Sequence, residues 1–311
     1  MRLYKIAEGL KCPRKILLHI SRSLEKKGFF DKWSDESWIK IRYWLRNGNM
    51  PDLDNPQTYT EKLQWLKLYN RNPLYTKLVD KYEVKKYVAA CIGDEYIIPT
   101  LGVWDNFEDI PFDELPDQFV LKCTHDSGGI VICKDKSKLD KAHARTVLNC
   151  FLQSNYYLRT GREWPYKNVK PRIMAEVYME DDKTQELRDY KFFTFDGIVR
   201  ALYIASDRQN SKVDTKFDFY DSNFIHLDIV NGHPNAKDVI EKPSKFDAMK
   251  SLAEKLSVGI PHVRVDLYEV NGKIYYGEYT FFHLSGMTPF KPEIWDKTFG
   301  DWLQLPAKYN G

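Results

Sequence analysis

The chain has 311 residues, of which 43% are hydrophobic and 14% aromatic, a composition that can bury a sizeable core and excludes a mainly disordered chain. Its 47 Lys and Arg residues against 44 Asp and Glu give a formal net charge of +3, which argues against a surface coated to bind nucleic acid. No apolar run is long enough to cross a membrane, and the five cysteines form no CxxC pair, so we expect a reduced, cytoplasmic protein without disulfides or a zinc site.

The first 46 residues are strongly basic. They hold 12 Lys and Arg against 5 Asp and Glu, a net charge of +7, which leaves −4 for the rest of the chain. Apolar residues recur among them at roughly helical spacing, namely Leu3, Ile6, Leu10, Ile16, Leu17, Ile20 and Leu24. One interpretation is an amphipathic helix that contacts an anionic membrane at its inner face, or a partner. The other is an ordinary solvated helix packed against the body of the protein.

Residues 51–56 form a polar segment bounded by two prolines, the best candidate for a linker. Thr58 and Glu61 then have the spacing of a capping box, which predicts a helix through Tyr69, and a second helix is expected over about 73–87. We therefore divide the chain into a basic helical region (1–55), a first unit (56–170) and a second unit (171–311).

Short apolar strands alternate with helices in the rest of the chain. A polar helix is predicted over about 137–157, and another begins near Pro243. Cys123 and Cys133 fall at strand positions and are interpreted as core thiols. Predicted strands cover 119–123, 130–133, 173–179, 189–195, 198–205, 263–270 and 273–281, the last two joined at Asn271-Gly272.

The last hairpin carries the most informative polar residues. Arg264 and Asp266 alternate with apolar residues on its first strand, and Glu278 and Thr280 do so on its second. A loop with an odd number of residues, such as one with a bulge at Gly272, puts all four on one face, whereas a strict two-residue turn separates the carboxylates. The apolar alternation favours the odd loop. Paired carboxylates there would suit Mg²⁺ with substrate phosphates; the alternative is a solvated face with a cross-strand ion pair.

Two further clusters could bind phosphate or ribose groups. In the segment 122–129, Lys122 precedes a loop of small residues whose amides could surround phosphate oxygens, although Ser-Gly-Gly is also common in plain hairpins. His125, in the same loop, could contact phosphate or substrate, but the favoured expectation is a plain exposed loop residue. Asp189 and Lys191, followed by Arg200 and Arg208, could hold a ribose hydroxyl and phosphates, or could simply be surface charges of an edge strand.

These clusters, in this order, resemble the ATP-grasp superfamily and in particular D-alanine–D-alanine ligases. The final motif of those ligases appears here as Arg264-Val-Asp266, Glu278-Tyr-Thr280 and a loop over 284–288. Thr280 stands where the superfamily has a metal-binding Asn, and Ser285 stands where it has Pro.

More narrowly, the chain resembles the TupA-like ATP-grasp proteins. The likeness covers about 55–305 and omits the basic first fifty residues. Its motifs are Asp80-Lys-Tyr, Ile98–Trp104, Leu115–Lys122, Asn155-Tyr-Tyr, Arg162–Tyr166, Asp189-Tyr-Lys and Arg264–Tyr268. The resemblance implies an α+β ATP-grasp fold in which two lobes clamp ATP, after a helical N-terminal region.

The resemblance also implies a reaction. A substrate carboxylate attacks the γ-phosphate of ATP to give an acylphosphate, and an amine then displaces phosphate to leave an amide. Family context suggests that a uronic acid or sugar-linked carboxylate is joined to an amino acid or amine during capsule, O-antigen or teichuronopeptide synthesis.

Residue roles follow from the matching motifs, with ATP and Mg²⁺ as cofactors. Arg264, Lys122 and Lys191 are the expected catalytic residues. The expected ATP-binding residues are Lys81, Lys122, Ser127, Gly128, Gly129, Glu176, Val177, Met179, Asp189 and Lys191. Glu176, Val177 and Met179 belong to a hinge expected to bind adenine through backbone groups. Substrate binding is expected of Arg208, Arg264, Ser285 and Gly286, and metal binding of Asp266, Glu278 and Thr280.

Two other classes of protein remain as alternatives. A nucleotide-sugar-dependent glycosyltransferase would need a D-x-D metal motif, and the only candidate, Asp52-Leu53-Asp54, lies in the proposed linker. A non-catalytic ATP-binding scaffold would not need Lys122, Asp266 and Glu278 together. The expected partners are small-molecule or saccharide carboxylates and amines, without nucleic acid.

Overall fold

The computed structural model describes residues 13–183, 187–206, 214–238 and 240–308. Arg208, predicted to bind substrate, therefore lies outside the described residues. The helices are α1 (Pro13–Lys26), α2 (Asp35–Asn47), α3 (Tyr59–Tyr69), α4 (Leu74–Val79), α5 (Glu83–Ile92), α6 (Lys141–Leu152), α7 (Tyr156–Arg159), α8 (Phe246–Ser257) and α9 (Ile294–Trp302). No helix among these residues is long and apolar enough to cross a membrane.

Within the described residues, ten strands form two antiparallel sheets. Their bounds are β1 (Thr100–Trp104), β2 (Phe119–Cys123), β3 (Ile130–Cys133), β4 (Ile173–Val177), β5 (Asp189–Phe195), β6 (Ile198–Ser206), β7 (Lys216–Asp221), β8 (His226–Leu227), β9 (Val263–Val270) and β10 (Lys273–Thr280). The smaller sheet has the order β1-β4-β2-β3, and the larger has the order β10-β9-β5-β6-β7-β8. Each sheet has its own buried apolar cluster, and α6 covers the smaller one.

The N-terminal helices pack on the body of the protein. Trp38, Ile39 and Tyr43 of α2 form a buried cluster with Met287, and the hydroxyl groups of Tyr43 and Thr60 lie 2.9 Å apart. The interpretation as a helix packed against the body of the protein therefore holds for α2, whereas α1 keeps exposed apolar residues. The predicted capping box of α3 is confirmed, since Thr58 and Glu61 bind each other's backbone amides.

Two predicted helices are interrupted. The helix predicted over 73–87 is split between α4 and α5, because Asp80 has extended backbone and its Oδ1 accepts hydrogen bonds from the amides of Tyr82 and Glu83. The helix predicted over 137–157 is also too long: α6 covers only its middle, and α7 is a separate turn capped by Asn155. The first break places Lys81 directly before α5.

The register of the β9–β10 hairpin corrects the predicted loop. Val270 pairs with Lys273, so Asn271-Gly272 is a strict two-residue turn, and both of its residues have positive φ. The bulge lies instead at Gly277, between Tyr276 and Glu278. One extra residue there restores the side-chain alternation that the odd loop was meant to supply.

Candidate functional site

Two adjoining cavities lie where the predicted site residues meet. The larger has a volume of about 410 Å³ and the smaller about 90 Å³, and Ser127, Lys191 and Glu278 line both. Arg264, Thr280 and Ser285 line only the larger cavity, whereas Lys81, Lys122, Glu176 and Asp189 line only the smaller. The structure thus gathers residues from loops and strands that are far apart in the sequence.

The sheet register explains why the charged residues of the larger sheet converge. Asp266 on β9 pairs directly with Glu278 on β10 and with Lys191 on β5, and Arg264 pairs with Thr280. Directly opposed residues of antiparallel strands share a face, so all five side chains face one side of the sheet. The bulge at Gly277 is what keeps Glu278 and Thr280 in this set.

Asp266 is the centre of this cluster, with no exposed surface on its side chain. Its carboxylate accepts bonds from Arg264 Nε at 2.7 Å and Nη2 at 2.8 Å, and also binds Lys191 Nζ. Burial alone would raise the pKa of Asp266, but the charges of Arg264 and Lys191 outweigh it and lower that pKa. Asp266 is therefore a buried, ionised carboxylate held by two cations.

Arg264 also reaches the other polar groups of the cluster. Its Nη2 donates to Thr280 Oγ1 at 2.8 Å and lies 3.8 Å from Glu278 Oε1, and its Nη1 lies 2.8 Å from His283 Nδ1. Burial opposes a charged guanidinium, but the charge of Asp266 prevails and raises the pKa of Arg264. Glu278, with 38% of its side chain exposed, is the carboxylate of this cluster that faces the cavities.

The smaller sheet supplies a second charged group. Glu176 of β4 binds Lys122 Nζ at 2.6 Å and Lys85 Nζ at 2.5 Å. Burial alone would raise the pKa of Glu176, but the charges of the two lysines outweigh burial, so the pKa is lowered. Lys85, on α5, was missed by the sequence analysis. It lies four residues after Lys81, and in the single helix predicted over 73–87 that spacing puts both lysines on one face, which was a usable signal.

The predicted adenine hinge is only partly placed at the cavities. Glu176 contributes a side chain that holds two lysines, a role different from the backbone contact expected of it. The amide of Val177 donates to the Pro99 carbonyl at 3.2 Å, so it is already in use. Neither Val177 nor Met179 lines either cavity.

Lys81 supports the loop after β2. Its Nζ donates to the carbonyls of Cys123, at 3.1 Å, and Asp126. The amide of Gly129 binds the Asp126 carboxylate at 3.2 Å, so it is not free to surround a phosphate in this structure. The loop of small residues is thus held by internal contacts, with Ser127 left at the cavity walls.

The two glycines of this loop allow it to approach α6 closely. A Cβ at Gly128 would lie 2.8 Å from the Phe151 ring, and one at Gly129 would lie 2.7 Å from Cys123 Sγ. His125 was predicted to be exposed but is buried. Its Nε2 lies 3.1 Å from the carbonyl oxygen of Phe151 on α6. Burial lowers the pKa of His125. The first half of this loop, Thr124 to Asp126, is therefore buried, whereas Ser127 and Gly128 are exposed.

The remaining predicted residues divide between the cavities and the interior. Asp189 is buried, lies 3.5 Å from Lys191 Nζ and lines the smaller cavity. Ser285 lines the larger cavity, whereas Gly286 does not. Gly286 is instead packed against α3, where its carbonyl accepts a 2.8 Å bond from Gln64. Arg200 is exposed on β6 and lines neither cavity.

A buried lysine and glutamate below Ser285 were also missed. Lys67 of α3 is fully buried, and its Nζ donates to Gln64 Oε1 at 3.0 Å and to the carbonyl and hydroxyl oxygens of Ser285 at 2.7 and 2.8 Å. Glu163 is buried in the wall of the larger cavity. Burial lowers the pKa of Lys67 and raises that of Glu163. Glu163 lies inside the Arg162–Tyr166 motif, which was the signal available.

The D-x-D tripeptide is a turn. Asp52 Oδ1 accepts bonds from the amides of Asp54 and Asn55 at 3.1 and 2.9 Å, and neither aspartate lines the two cavities. Within the described ranges, no three His, Cys, Asp or Glu side chains are grouped so that they could hold a metal ion by themselves.

Comparison with solved structures finds ATP-grasp ligases at low identity and low structural overlap. D-alanine–D-alanine ligase from Bacillus anthracis complexed with ATP is 18% identical over 66% of this chain and 54% of that chain, with a TM-score of 0.37. D-alanyl-alanine synthetase A from Vibrio cholerae O1 biovar eltor is 13% identical over 68% and 57%, with a TM-score of 0.38. The ATP-grasp ligase PsnB, complexed with minimal precursor, Mg and ADP, is 10% identical over 82% and 64%, with a TM-score of 0.39. The match thus spans little more than half the length of the two D-alanine enzymes.

Comparison with curated proteins gave no match. The family model for TupA-like ATP-grasp proteins, in contrast, matches residues 61–304, which include every described residue of the two charged clusters. The chain therefore belongs to the TupA-like ATP-grasp family, which confirms the family and the ATP-grasp fold class predicted from its motifs.

Proposed function

We propose that this protein is an ATP-dependent carboxylate–amine ligase that forms an amide through an acylphosphate. The observation that carries the proposal is the pair of adjoining cavities, one bordered by Lys81, Lys122 and Asp189 and the other by Arg264, which share Lys191 and Glu278. The phosphates of a nucleotide at the smaller space and an acid in the larger would meet at these shared residues. Holding two reactants in contact supplies much of the rate in such reactions.

Cationic side chains of the site would bind the phosphates and the acid. Lys122 and Lys191 are each held in place by a carboxylate, Glu176 and Asp266, so their charges are positioned before substrate binds. Arg264 would bind the oxygen that becomes negative when the amine attacks the acylphosphate, since it is fixed by Asp266 and Thr280. These residues act by position and charge.

The donor groups fit a magnesium ion that is held mainly by nucleotide phosphates. Mg²⁺ in such sites keeps one or two carboxylates and takes its other ligands from phosphates and water. Glu278 offers an accessible carboxylate, whereas Asp266 lies behind it, already bonded to Arg264 and Lys191. Thr280 accepts a bond from Arg264 and would be a weaker ligand. When bound, the ion would neutralise charge on the β- and γ-phosphates.

Glu163 is placed to take the proton of the amine. The amine must lose a proton to attack, and a buried carboxyl with a raised pKa is a suitable acceptor near neutral pH. Its neighbour Lys67 donates to Ser285 at the same wall of the larger cavity. In the complete step the carboxylate oxygen displaces ADP from the γ-phosphorus. The amine nitrogen then displaces phosphate from the acyl carbon, and its proton passes to Glu163.

We infer the substrate class from the family context. We propose a uronic acid or sugar-linked carboxylate as the acid, and an amino acid or amine as its partner, in the synthesis of a cell-surface polysaccharide such as capsule, O-antigen or teichuronopeptide. The larger cavity, at about 410 Å³, has the volume of a small-molecule site.

Product analysis tests the reaction. Uronic acids would be screened against amines with Mg·ATP, and release of ADP, AMP and phosphate would be followed for each pair. We expect ADP and phosphate, and hydroxylamine added in place of the amine should trap the acylphosphate as a hydroxamate. AMP formed in step with product would show that an adenylate is made instead, and would contradict the proposed chemistry.

A second part of the proposal places the basic N-terminal region against the cytoplasmic face of an anionic membrane. Leu17, Ile20 and Phe29 are exposed by 47, 48 and 62%, and they lie within the basic first 46 residues. Exposed apolar side chains among basic ones are typical of helices that lie at a membrane surface.

Vesicle sedimentation tests this contact. The protein should sediment with phosphatidylglycerol vesicles more than with phosphatidylcholine vesicles, and added salt should reduce the difference. Ile20→Ser should weaken sedimentation, whereas Ile198→Ser, which changes an equally exposed isoleucine on β6, should not. Equal sedimentation with both kinds of vesicle would leave α1 as a purely structural helix.

A further inference from the structure

The larger cavity extends beyond the sheet to the N-terminal helices. Its outer wall includes Glu25 of α1, Trp38, Arg42 and Arg46 of α2, and Arg159 of α7. The residues of α1 and α2 precede the segment that matches the family model, which begins at residue 61. The basic N-terminal region is therefore part of the wall of the proposed active site, a position that neither its sequence nor the family assigns to it.

The outer wall carries an excess of positive charge. Arg42 Nη2 lies 3.1 Å from Glu25 Oε2, and the Arg42 guanidinium lies 5.8 Å from the centre of the Trp38 ring. Arg46 and Arg159 have no such partner: neither makes a side-chain hydrogen bond or ion pair within the part of the chain that the structure describes, and Arg46 Nε is buried without a hydrogen bond. Three arginines thus face one carboxylate, a net charge of about +2 if all four groups are ionised.

The positive charge of Arg46 is partly buried, which is unfavourable. Burial lowers the pKa of Arg46 to about 10, and the neighbouring charges of Arg42 and Arg22 lower it as well, while the charge of Glu25 opposes them only in part. A partly buried cation without an ion pair of its own costs free energy, and an anion placed between the arginines would recover it. A bound dianion matches the excess charge, and guanidinium groups bind phosphate oxygens through paired hydrogen bonds.

We propose that Arg42, Arg46 and Arg159 form a binding site for a phosphate monoester carried by the acid or amine substrate. This inference rests on the proposed ligase function and extends it: the reacting group would lie at Arg264, while the phosphate of the same molecule would bind at the outer end of the cavity. The phosphate could belong to a soluble sugar phosphate or to a membrane lipid. Both present the same dianion to the arginines.

Binding measurements with the nucleotide site filled test the soluble form. The full-length protein is first titrated with AMPPNP and Mg²⁺, which reports on the nucleotide site by itself. The saturated protein is then titrated with glucose 1-phosphate and with glucose. We expect binding of glucose 1-phosphate but not of glucose, and a loss of about tenfold in affinity for Arg46→Gln, the effect of losing one charged hydrogen-bond donor.

Two further variants distinguish a loss of binding from a loss of folding. Arg159 is exposed, so Arg159→Gln should leave the fold intact and still weaken glucose 1-phosphate binding. Arg145→Gln is the matched control, because Arg145 is exposed, pairs with Glu108 at 3.2 Å and lies outside both cavities. AMPPNP affinity should be the same in all three variants, so failure of the nucleotide site and failure of the arginine site are separate results.

Vesicles test the membrane source. Phosphatidic acid carries a phosphate monoester, and phosphatidylglycerol, adjusted to equal surface charge, carries only a diester. Preferential sedimentation with phosphatidic acid that is lost in Arg46→Gln would assign the phosphate to a lipid, whereas binding of glucose 1-phosphate alone would assign it to a soluble substrate. The proposal is overturned if neither probe binds, or if both bind equally well to the wild type and to the two cavity arginine variants.

Discussion

The two sheets hold their charged residues in different ways. On the larger sheet Asp266 has no exposed surface, and Arg264 and Lys191, at 7 and 8% exposure, are its only counter-charges among the contacts described. On the smaller sheet Glu176 is also buried, but Lys85 and Lys122 keep 14 and 21% of their side chains in contact with solvent. The first group is sealed, and the second is open on its cationic side.

This difference separates a rigid charged group from one that can rearrange. A sealed group cannot rearrange without leaving a buried charge unpaired, so Arg264 is held rigidly. An open pair of lysines can turn from its carboxylate to a phosphate at little cost. We therefore expect substitutions on the larger sheet to affect stability most, and those on the smaller sheet to affect nucleotide binding most.

The largest expected effect is on the sealed group. Asp266→Asn removes the carboxylate that holds both buried cations and leaves Arg264 and Lys191 only the more distant Glu278, at 3.8 Å, and Asp189, at 3.5 Å. It should lower the free energy of unfolding by about 3 to 5 kcal/mol. Glu176→Gln should cost about 1 to 2 kcal/mol, because its lysines can turn to water. Denaturation in urea measures both, and equal losses would show that the two groups are not distinct in the way described.

The next effect concerns turnover. Glu278→Gln should slow the reaction by roughly 10²-fold or more, since an amide cannot replace a charge that neutralises the transferring phosphate. The fold should be unchanged, because 38% of the Glu278 side chain is exposed. Glu269→Gln, on the same hairpin but outside both cavities, is the control and should keep full activity. Near-normal ADP release by a folded Glu278→Gln protein would contradict the proposed metal site.

The interior of the larger sheet should also respond to pH. His262 is buried, with its Nε2 2.8 Å from the Tyr59 hydroxyl and its Nδ1 2.8 Å from the Thr194 carbonyl, and burial lowers its pKa to about 3. The unfolded chain takes up a proton near pH 6.5, whereas the folded chain does not, so stability is full above that pH and is lost as the pH falls toward 3.

The slope of this loss should be about 1.4 kcal/mol per pH unit for this histidine alone. Urea denaturation at pH 7.0, 6.0 and 5.0 measures it. His262→Gln, which has no group that titrates in this range, should flatten the dependence even if the variant is less stable overall. An unchanged slope in the variant would show that another group is responsible.

The smallest expected effect is at the bulge. A Cβ at Gly277 would lie 3.0 Å from the Asp266 carbonyl oxygen and 3.0 Å from the Tyr268 ring, so Gly277→Ala should cost about 1 kcal/mol in stability and should slow turnover by shifting Glu278. Gly272→Ala, in the turn of the same hairpin, should cost about as much because of its positive φ, but has open space around it and should leave turnover unchanged. If both variants lose the same activity, the bulge does not position Glu278.

The family and most strands of the site could be predicted because their signals are local. Alternating apolar residues identified β9 and β10, and the Arg264-Val-Asp266 motif with its downstream carboxylate identified the superfamily. The alternation also required one irregularity in the hairpin. It could not locate that irregularity, because a bulge at Gly277 and one at Gly272 leave the same pattern of apolar residues; the hydrogen-bond register decides between them.

By itself, then, the sequence determined which residue types were available and on which strands they lay, because strand periodicity and turn residues act over a few positions. Only the tertiary structure decided their partners: that Glu176 holds Lys85 and Lys122, that Glu163 and Lys67 are buried beneath Ser285, and that Arg42 and Arg46 reach the proposed active site. These contacts join residues that are 54 positions apart, as for Lys122 and Glu176, to 218 positions apart, as for Lys67 and Ser285. They depend on how the sheets and helices pack, which no local spacing encodes.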